Sequence, residues 1–286
     1  MTPPGLPERL ASLDRSLAEA GSLLVAYSGG VDSAFLALRA HEVLGPRALA
    51  VTADSPSLPR AQLRLAEEVA ARFGFAHRVV ATHEVEDPRY AQNDALRCYH
   101  CKTELFTRLL ALARAEGFAH LAYGLIVDDL ADFRPGHKAA AEAGVLSPLA
   151  TAGLDKEAVR ALSRASSLPT ADLPASPCLS SRVPYGTAVT PAVLARVERA
   201  EEALRGLGFR ELRVRHLGQA ARVEIAAAEM ARLDEGLRAA VVAAVRVAGY
   251  SEVEIDPAGY RRGRLNDALR VRPAVAGPPA ALLDRG

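Results

Sequence analysis

SLLVAYSGGVDSAFLAL, residues 22–38, places a run of small residues between an apolar stretch and a helical one. The apolar residues 23–27 predict a short buried strand, and residues 34–44 predict a helix. Residues 28–30 lack bulk, so their backbone amides can approach an anion closely, and the start of the next helix offers further unpaired N–H groups. The stretch therefore predicts a strand-to-helix turn that holds an oxyanion.

Two polar side chains, Asp32 and Ser33, lie in the first turn of that helix. A carboxylate there can cap the helix and can also assist a magnesium ion. The simpler alternative is a tight turn with an ordinary Ser or Asp cap. The turn is not a Walker A loop, because the spacing G-x-x-x-x-G-K-[ST] and its lysine are missing. The candidate nucleotide-binding residues here are Ser28, Gly29, Gly30, Asp32 and Ser33.

The strand-to-helix alternation repeats along the N-terminal part of the chain. An amphipathic helix at residues 8–20 precedes predicted strands at 23–27, 48–52, 77–81 and 120–123 and predicted helices at 34–44, 60–73 and 102–116. Such alternation predicts an α/β fold with a parallel sheet and helices on both faces. Ligands bind beyond the carboxyl ends of the strands in these sheets, which is where the glycine turn falls.

A Pro- and Ser-rich stretch at residues 168–191 interrupts this alternation, and its length is typical of functional or disordered segments. Beyond it, patterns predict helices at 192–207 and 228–248 and strands at 211–215, 222–225 and 252–255. The predicted organisation is an α/β domain at residues 1–170, a cysteine-bearing linker at 171–190, a smaller C-terminal α/β domain at 191–268 and a frayed tail at 269–286.

Charge and composition disfavour several classes of protein. Lys and Arg number 35 against 34 Asp and Glu, and the resulting formal charge of +1 lacks the basic footprint of a nucleic-acid binder. No basic segment precedes an apolar one at the N-terminus, and no run of about 18 apolar residues occurs. We expect a soluble cytoplasmic protein that binds neither DNA nor membranes.

The chain has three cysteines, which cannot all pair with one another. Cys98 and Cys101 are one helical turn or tight loop apart, and Cys178 lies in the Pro- and Ser-rich stretch. Three thiolates can hold a metal centre and leave one position open, which suits an iron–sulfur cluster with an accessible iron. The alternatives are a redox pair, a structural zinc completed by a histidine such as His100, and buried core thiols.

The hexad SGGVDS resembles the SGGxDS signature of the PP-loop ATP pyrophosphatases. This resemblance implies that the loop holds pyrophosphate and that ATP is cleaved to AMP and pyrophosphate. It also implies that an oxygen of a second substrate is adenylylated before a nucleophile displaces AMP. Relatives use ammonia, amines or sulfur as that nucleophile, and the cysteines favour sulfur.

Six further segments resemble the LarE family of sulfur transferases. They are VTADSPSLP (51–59), RCYHCKTELF (97–106), DDLADFRPG (128–136), SPCLSSRVPYGT (176–187), LRVRHLGQAARVEI (212–225) and GYRRGRLN (259–266). The family builds the thiocarboxylates of the nickel-pincer nucleotide, the cofactor of lactate racemase, from pyridinium-3,5-biscarboxylic acid mononucleotide. The resemblance therefore implies that substrate, a sulfide or other sulfur donor, and a hexameric or trimer-based homo-oligomer.

The number of cysteines separates two types within this family. Some members carry only the cysteine at the position of Cys178 and sacrifice its sulfur, which leaves dehydroalanine. Others carry all three and use a four-iron cluster. This sequence resembles the three-cysteine type, which implies ATP, Mg²⁺ and a 4Fe-4S cluster held by Cys98, Cys101 and Cys178.

Several charged residues of the C-terminal half are further candidates. Arg213 and Arg215 alternate with apolar residues, so on a strand both face one side. Two arginines suit a phosphate or paired carboxylates, and the resemblance implies that they bind those groups of the substrate. The alternative is a solvated strand face. Arg182 is placed either to contact substrate or AMP or to stabilise its loop. The candidate catalytic residues are Cys178, Asp32, Arg213 and Arg215.

Four acidic residues complete the set of candidate site residues. The resemblance places Glu201 and Glu224 near the substrate and metal site, with surface charges as the alternative. Asp128 and Asp129 follow a predicted strand end and could position magnesium or act as caps. The segment before them reads GLIV at residues 124–127 where the family typically has Gly-Thr-Asn-Ala, so two polar contacts are lost. Gly124, Asp128 and Arg182 are carried as nucleotide-binding candidates.

Two rival functions remain open from the sequence. Some PP-loop tRNA thiolases also use three cysteines and a cluster, but the near-neutral charge and the lack of an evident tRNA-binding module disfavour that function. A non-catalytic nucleotide-binding iron or zinc sensor would bind ATP without releasing pyrophosphate.

Overall fold

The fold follows the predicted alternation of strands and helices. The computed structural model describes residues 5–130 and 135–261. Its strands are β1 (Leu23–Ala26), β2 (Ala48–Asp54), β3 (His77–Ala81), β4 (His120–Tyr123), β5 (Leu212–Leu217), β6 (Ala220–Ile225) and β7 (Glu252–Ile255). The predicted tail at residues 269–286 and the last residues of the predicted C-terminal domain, 262–268, lie outside the described residues.

Helices connect and flank these strands. They are α1 (Leu6–Ala20), α2 (Val31–Leu44), α3 (Arg60–Phe73), α4 (Pro88–Ala91), α5 (Arg97–Ala115), α6 (Val127–Leu130), α7 (Pro135–Glu142), α8 (Pro148–Thr151), α9 (Lys156–Ala165), α10 (Pro191–Gly206), α11 (Ala227–Met230) and α12 (Glu235–Val247). Short 3-10 turns lie at Gly45–Arg47, Glu84–Glu86 and Leu179–Arg182.

The first sheet has four parallel strands in the order β3-β2-β1-β4. Leu23 and Val25 of β1 are buried with α1, α2 and α9 on one face. Leu24 is buried with α5 and α7 on the other. Alternate side chains of a strand point to opposite faces, so this central strand is buried on both sides. The predicted parallel α/β sheet with helices on both faces is confirmed.

The second sheet is smaller and mixed. β5 and β6 form an antiparallel pair, and β7 adds to β6 in parallel, in the order β5-β6-β7. Side chains of α10 and α12, such as Leu204 and Val241, share its apolar core. A second, smaller α/β unit is therefore present, while the predicted domain boundaries at residues 170 and 190 stay predictions.

Three predicted helix boundaries were wrong. α2 begins at Val31 instead of residue 34, because Gly30 is extended (φ −76°, ψ 160°) and serves as its N-cap. α5 begins at Arg97 instead of residue 102, so the Cys-x-x-Cys segment is helical. The helix predicted at 228–248 is interrupted, because the Asp234 side chain accepts a hydrogen bond from the amide of Leu237 and starts α12 there.

A helix that spans a membrane needs about 20 predominantly apolar residues. Across residues 5–130 and 135–261, no helix is both long and apolar enough to cross a bilayer.

Candidate functional site

The glycine turn is held in shape by its own serines. The Ser33 hydroxyl lies 3.1 Å from the Gly30 carbonyl oxygen, accepts from the Ser28 amide at 3.1 Å and contacts the Ser28 hydroxyl at 3.1 Å. These bonds fold the turn back over the first residues of α2. The N-terminal amides of that helix thus face the carboxyl end of β1, the arrangement that binds phosphate groups in other proteins.

Two glycines are required by close approaches around this turn. Gly29 has φ +73°, a conformation that residues with side chains rarely adopt. Gly124, which follows β4, lies so close to α2 that a Cβ atom would come within 2.9 Å of the Ser33 amide nitrogen. Gly124 therefore lets the end of β4 reach the loop, whatever the polarity of the three residues after it.

A cavity of about 200 Å³ opens beside the turn at the carboxyl ends of β1 and β2. Its wall includes Ser28, Asp32, Ser33 and, from α5, Lys102. Lys102 directly follows Cys101 in the chain. Helix α5 thus carries the Cys-x-x-Cys segment and one wall of the candidate nucleotide cavity.

Asp32 is paired with a lysine that the sequence analysis did not single out. Lys156 Nζ donates to both carboxylate oxygens of Asp32, at 2.7 and 2.6 Å. The amide of Lys156 donates to Asp128 Oδ2 at 2.8 Å, so Asp128 satisfies the first amide of α9 and supplements Asp155, the N-cap of that helix. The capping alternative for Asp128 is therefore the one the structure favours, and Lys156 joins the loop as a fixed positive charge.

A larger cavity of about 430 Å³ lies at the ends of β2 and β3. Its basic side chains already have acidic partners: Arg60 pairs with Asp54 at 2.6 Å and His83 with Glu86 at 3.1 Å. Its lining includes none of the SGGVDS residues. We therefore place the candidate nucleotide site in the smaller cavity.

The three cysteines come from two distant parts of the chain but share one neighbourhood. Cys98 and Cys101 lie in the first turns of α5, and Cys178 directly precedes the 3-10 turn Leu179–Arg182. Cys98 is an exposed residue, whereas Cys101 and Cys178 are half-buried. The protein atoms around the Cys98 thiol still raise its pKa by desolvation, Cys178 raises it further, and the Arg97 guanidinium opposes both; the net shift is upward. Burial also raises the pKa of Cys101, as do Glu84 and the other two thiols.

Three bonds fasten the Cys178 segment to the N-terminal domain. The Leu179 amide donates to the Ser57 carbonyl oxygen at 2.8 Å. The Ser180 hydroxyl lies 2.5 Å from the Tyr90 hydroxyl, and the Ser180 carbonyl accepts from Arg97 Nη1 at 2.9 Å. Because Tyr90 and Arg97 flank the start of α5, these bonds set the position of Cys178 relative to Cys98.

Arg182 joins the same segment to helix α10 through a buried ion pair. Its side chain is 0% exposed and pairs with the equally buried Glu201 at 2.8 Å. Its Nη1 also donates to the carbonyl oxygens of Pro177 and Cys178 at 2.6 and 3.0 Å. The structure thus favours loop stabilisation over direct substrate contact for Arg182. The surface alternative for Glu201 was wrong.

Arg213 and Arg215 lie on the same face of β5, but this face is not solvated. Arg213 is 6% exposed, donates to the Ala175 carbonyl at 2.8 Å and lies 4.9 Å from the centre of the Tyr260 ring. Arg215 pairs with the buried Glu224 at 2.8 Å and donates to the Ser181 carbonyl at 2.8 Å. Both arginines therefore brace the Cys178 segment, and the solvated-face alternative was wrong.

The side chains of the cysteine site decide which metal centre it can hold. Within residues 5–130 and 135–261, no group of three or more His, Cys, Asp or Glu side chains is arranged to hold an ion. A zinc ion needs thiolates about 2.3 Å from one point. The thiols nevertheless act on one another electrostatically. Three thiols that share one neighbourhood are the type of donor set that iron–sulfur clusters use.

Several site residues escaped the sequence analysis because they belong to no recognised motif. Lys156 and Tyr90 reach the site only through the fold. Glu84 is 4% exposed and accepts from the hydroxyls of Ser55 and Ser57, at 2.5 and 2.6 Å. Arg97 did carry one signal, since it directly precedes Cys98.

The four-stranded parallel sheet and the SGGVDS turn at the end of β1 define a protein with a PP-loop-like α/β fold. The chain is 34% identical to the pyridinium-3,5-bisthiocarboxylic acid mononucleotide synthase of Lactiplantibacillus plantarum. The 267 aligned residues cover 92% of this chain and 96% of that protein. The chain belongs to the family of that synthase, the LarE family, and the resemblance of its motifs is confirmed.

Two further relatives are uncharacterized proteins. One, from Synechocystis sp., is 42% identical over 265 residues, which span 92% of this chain and 99% of the relative. The other, from Methanocaldococcus jannaschii, is 27% identical over 203 residues, or 71% of this chain and 77% of the relative. No protein-family model matches the chain.

Proposed function

We propose that the protein is an ATP-dependent sulfur transferase. It adenylylates pyridinium-3,5-biscarboxylic acid mononucleotide and converts its carboxylates to thiocarboxylates for the nickel-pincer cofactor of lactate racemase. The observation that carries the proposal is the dual role of α5, which presents Cys98 and Cys101 and, through Lys102, lines the cavity of the SGGVDS turn. A carboxylate activated in that cavity lies next to the sulfur site.

The loop performs the activating half of this reaction. The amides at the start of α2 bind the pyrophosphate part of ATP, and Lys156 adds positive charge beside them. Asp32 is the candidate magnesium ligand, which a magnesium ion would reach by displacing the Lys156 ammonium from its carboxylate; Asp128 holds the backbone amide of Lys156. Activation is needed because hydroxide leaves a carboxylate poorly, whereas AMP leaves readily.

The cysteines perform the sulfur half. Cys98, Cys101 and Cys178 would hold a 4Fe-4S cluster. Such a cluster would supply an open iron for external sulfide, so the enzyme could turn over without losing a protein sulfur. Arg213 and Arg215 would bind the substrate's phosphate or carboxylates by exchanging some of their present contacts. We also propose a cytoplasmic homo-oligomer, hexameric or trimer-based, which light scattering after size-exclusion chromatography would test.

The first test is chemical analysis of anaerobically purified protein, together with pyrophosphate release from ATP. We expect iron and acid-labile sulfide, broad visible absorbance, and pyrophosphate release that rises when the biscarboxylate mononucleotide is added. A colourless protein with one zinc would contradict the cluster, and release indifferent to that acid would contradict the activity. Tight binding of bulk tRNA in a filter assay would favour the thiolase instead.

The second test separates the cluster from a sacrificed cysteine. Cys98→Ala should abolish multiple turnovers if three thiols hold a cluster. Full thiocarboxylate formation in a single turnover by Cys98→Ala would instead favour sacrifice of Cys178. Thr107→Ala is the matched control, because Thr107 is an exposed residue of the same helix.

A further inference from the structure

The cysteine site contains a buried positive charge that the proposed function has not used. Arg97, the first residue of α5, is 3% exposed. Its Nη1 donates to the Asn93 side chain and, at 2.9 Å, to the Ser180 carbonyl. Its guanidinium lies 5.6 Å from the centre of the Tyr185 ring. These contacts fix the guanidinium between α5 and the Cys178 segment.

No carboxylate of residues 5–130 or 135–261 acts as a principal counter-charge to Arg97. The groups that act on its charge most strongly, apart from burial, are the Cys178 and Cys98 thiols and the Tyr90 and Tyr185 hydroxyls. A charge inside a protein is costly unless an opposite charge accompanies it. The thiol site is thus the place where negative charge is favoured.

Other charges near the thiols make this field uneven. Glu84 acts on Cys101 and raises the pKa of that thiol, after burial, whereas Arg97 acts on Cys98 and Cys178. Lys102 also acts on Cys98 and Cys101, but its ammonium lies over the Phe106 ring, 5.5 Å from its centre. Arg97 therefore adds positive charge beside Cys98 and the Cys178 segment, whereas Glu84 adds negative charge at Cys101.

We propose that Arg97 is a specificity-determining residue that makes the surroundings of Cys98 and Cys178 an anion pocket, which selects anionic sulfur donors such as hydrosulfide over neutral ones. This proposal rests on the proposed function for the identity of the donor. The pocket itself depends only on the fixed charge of Arg97 and on its place, directly before Cys98 in α5 and bonded to the Ser180 carbonyl of the Cys178 segment.

The test compares two alkylating reagents on the metal-free protein, iodoacetate and neutral iodoacetamide, with site-specific rates at Cys98 and Cys178 read by mass spectrometry. Both reagents attack the same thiolate, so the ratio of their rates cancels changes in thiol pKa and accessibility and reports the local charge. Arg97→Gln should lower the iodoacetate-to-iodoacetamide ratio roughly three- to tenfold. Arg97→Lys, which keeps the charge, should retain most of it.

Tyr90→Phe is the control for a purely structural role, because it removes a bond to Ser180 without changing charge. Its ratio should equal that of the wild type even where both rates rise. An unchanged ratio in Arg97→Gln, or an equal fall in Tyr90→Phe, would overturn the proposal. In wild type, raising the salt concentration should also lower the ratio, so the charge is tested even if Arg97→Gln does not fold.

Turnover gives the second readout. Arg97→Gln should raise the KM for sulfide about tenfold in thiocarboxylate formation and leave the KM for ATP unchanged. An increase in both KM values would indicate general damage to the site and contradict the proposal. If the protein transfers no sulfur at all, the proposed function fails, yet the alkylation ratio still decides whether Arg97 forms an anion pocket.

Discussion

The nucleotide loop and the cysteine site are built in opposite ways. The loop is local: six consecutive residues supply its amides, its serine bonds and its carboxylate. The cysteine site is assembled from residues some 80 positions apart, and the buried ion pair Arg182–Glu201 anchors one of its walls. A local site tolerates damage elsewhere, whereas an assembled site fails when a distant brace is removed. Substitutions in the two sites test this difference.

The largest effect is expected from the brace itself. Glu201→Ala leaves the Arg182 guanidinium buried without its partner, and breaking a buried pair in this way costs about 3–5 kcal/mol. We expect that loss in the free energy of unfolding, measured by urea denaturation.

The adjacent residue provides the control. Glu202 pairs with Arg64 at 3.3 Å on the surface, where both side chains are largely exposed, so Glu202→Ala should cost less than about 1 kcal/mol. Equal losses in the two variants would show that the Arg182–Glu201 pair is not a brace.

The same carboxyl should shape the acid limb of stability. Burial alone would raise the pKa of Glu201, but Arg182 and the neighbouring arginines outweigh it and hold the pKa below its ordinary value of 4.5. A lowered pKa in the folded state means stability that is present above pH 4.5 and is lost as the pH falls through the folded-state value. Glu201→Gln should therefore flatten the dependence of the urea midpoint on pH below 4.5, and an unchanged slope would contradict this assignment.

A substitution near the loop should affect activity more than stability. Gly124→Ala places a methyl group 2.9 Å from the Ser33 amide nitrogen and 3.1 Å from the Ser33 Cα. These are backbone atoms, so the loop must shift, and a displacement of that kind can lower pyrophosphate release about 100-fold.

Gly206→Ala is the control for Gly124→Ala, because nothing lies within 4 Å of the added methyl group at the end of α10. It should release pyrophosphate at the wild-type rate. Wild-type release by Gly124→Ala would mean that the end of β4 does not position the loop.

A smaller effect on activity is expected from the lysine beside the loop. Lys156→Met removes the positive charge next to Asp32 and should raise the KM for ATP about tenfold in the pyrophosphate assay. Lys138→Met is the control, since Lys138 is an exposed lysine that pairs with Glu142 at 3.7 Å and lies over the Tyr99 ring, and it does not line the cavity of the turn. A lowered KM in Lys156→Met would contradict this role and would show that the lysine competes with the magnesium ion of MgATP for Asp32.

The sequence predicted the local site well and the assembled site poorly. The turn at residues 28–33 lies at the end of a strand, as expected, because its conformation depends on its own glycines and serines. Every strand of the parallel sheet lies where the apolar runs predicted it. These features depend on neighbours in the chain.

Features that depend on distant contacts could not be predicted in the same way. Glu201 resembled a surface charge on an amphipathic helix until the fold buried it against Arg182. For Arg213 the sequence left a solvated strand face open as the alternative to substrate binding, and the segment around Ala175 covers that face. Glu84 gave no signal at all, since its partners come from another strand end. Burial of a charged residue is set by tertiary structure, which periodicity does not report.

The smallest effect is expected from one hydrogen bond of the assembled site. Tyr90→Phe removes the bond to the Ser180 hydroxyl, and a buried neutral hydrogen bond contributes about 1 kcal/mol to the free energy of unfolding. Tyr99 lies on α5, the helix that carries Cys98. Tyr99→Phe removes an exposed bond to Glu142 and should lower the free energy of unfolding by less. The loss in Tyr90→Phe stays small because Ser57, Arg97 and Arg182 still hold the Cys178 segment. A loss as large as that of Glu201→Ala would mean that Tyr90, and not the buried ion pair, is the principal brace of the cysteine site.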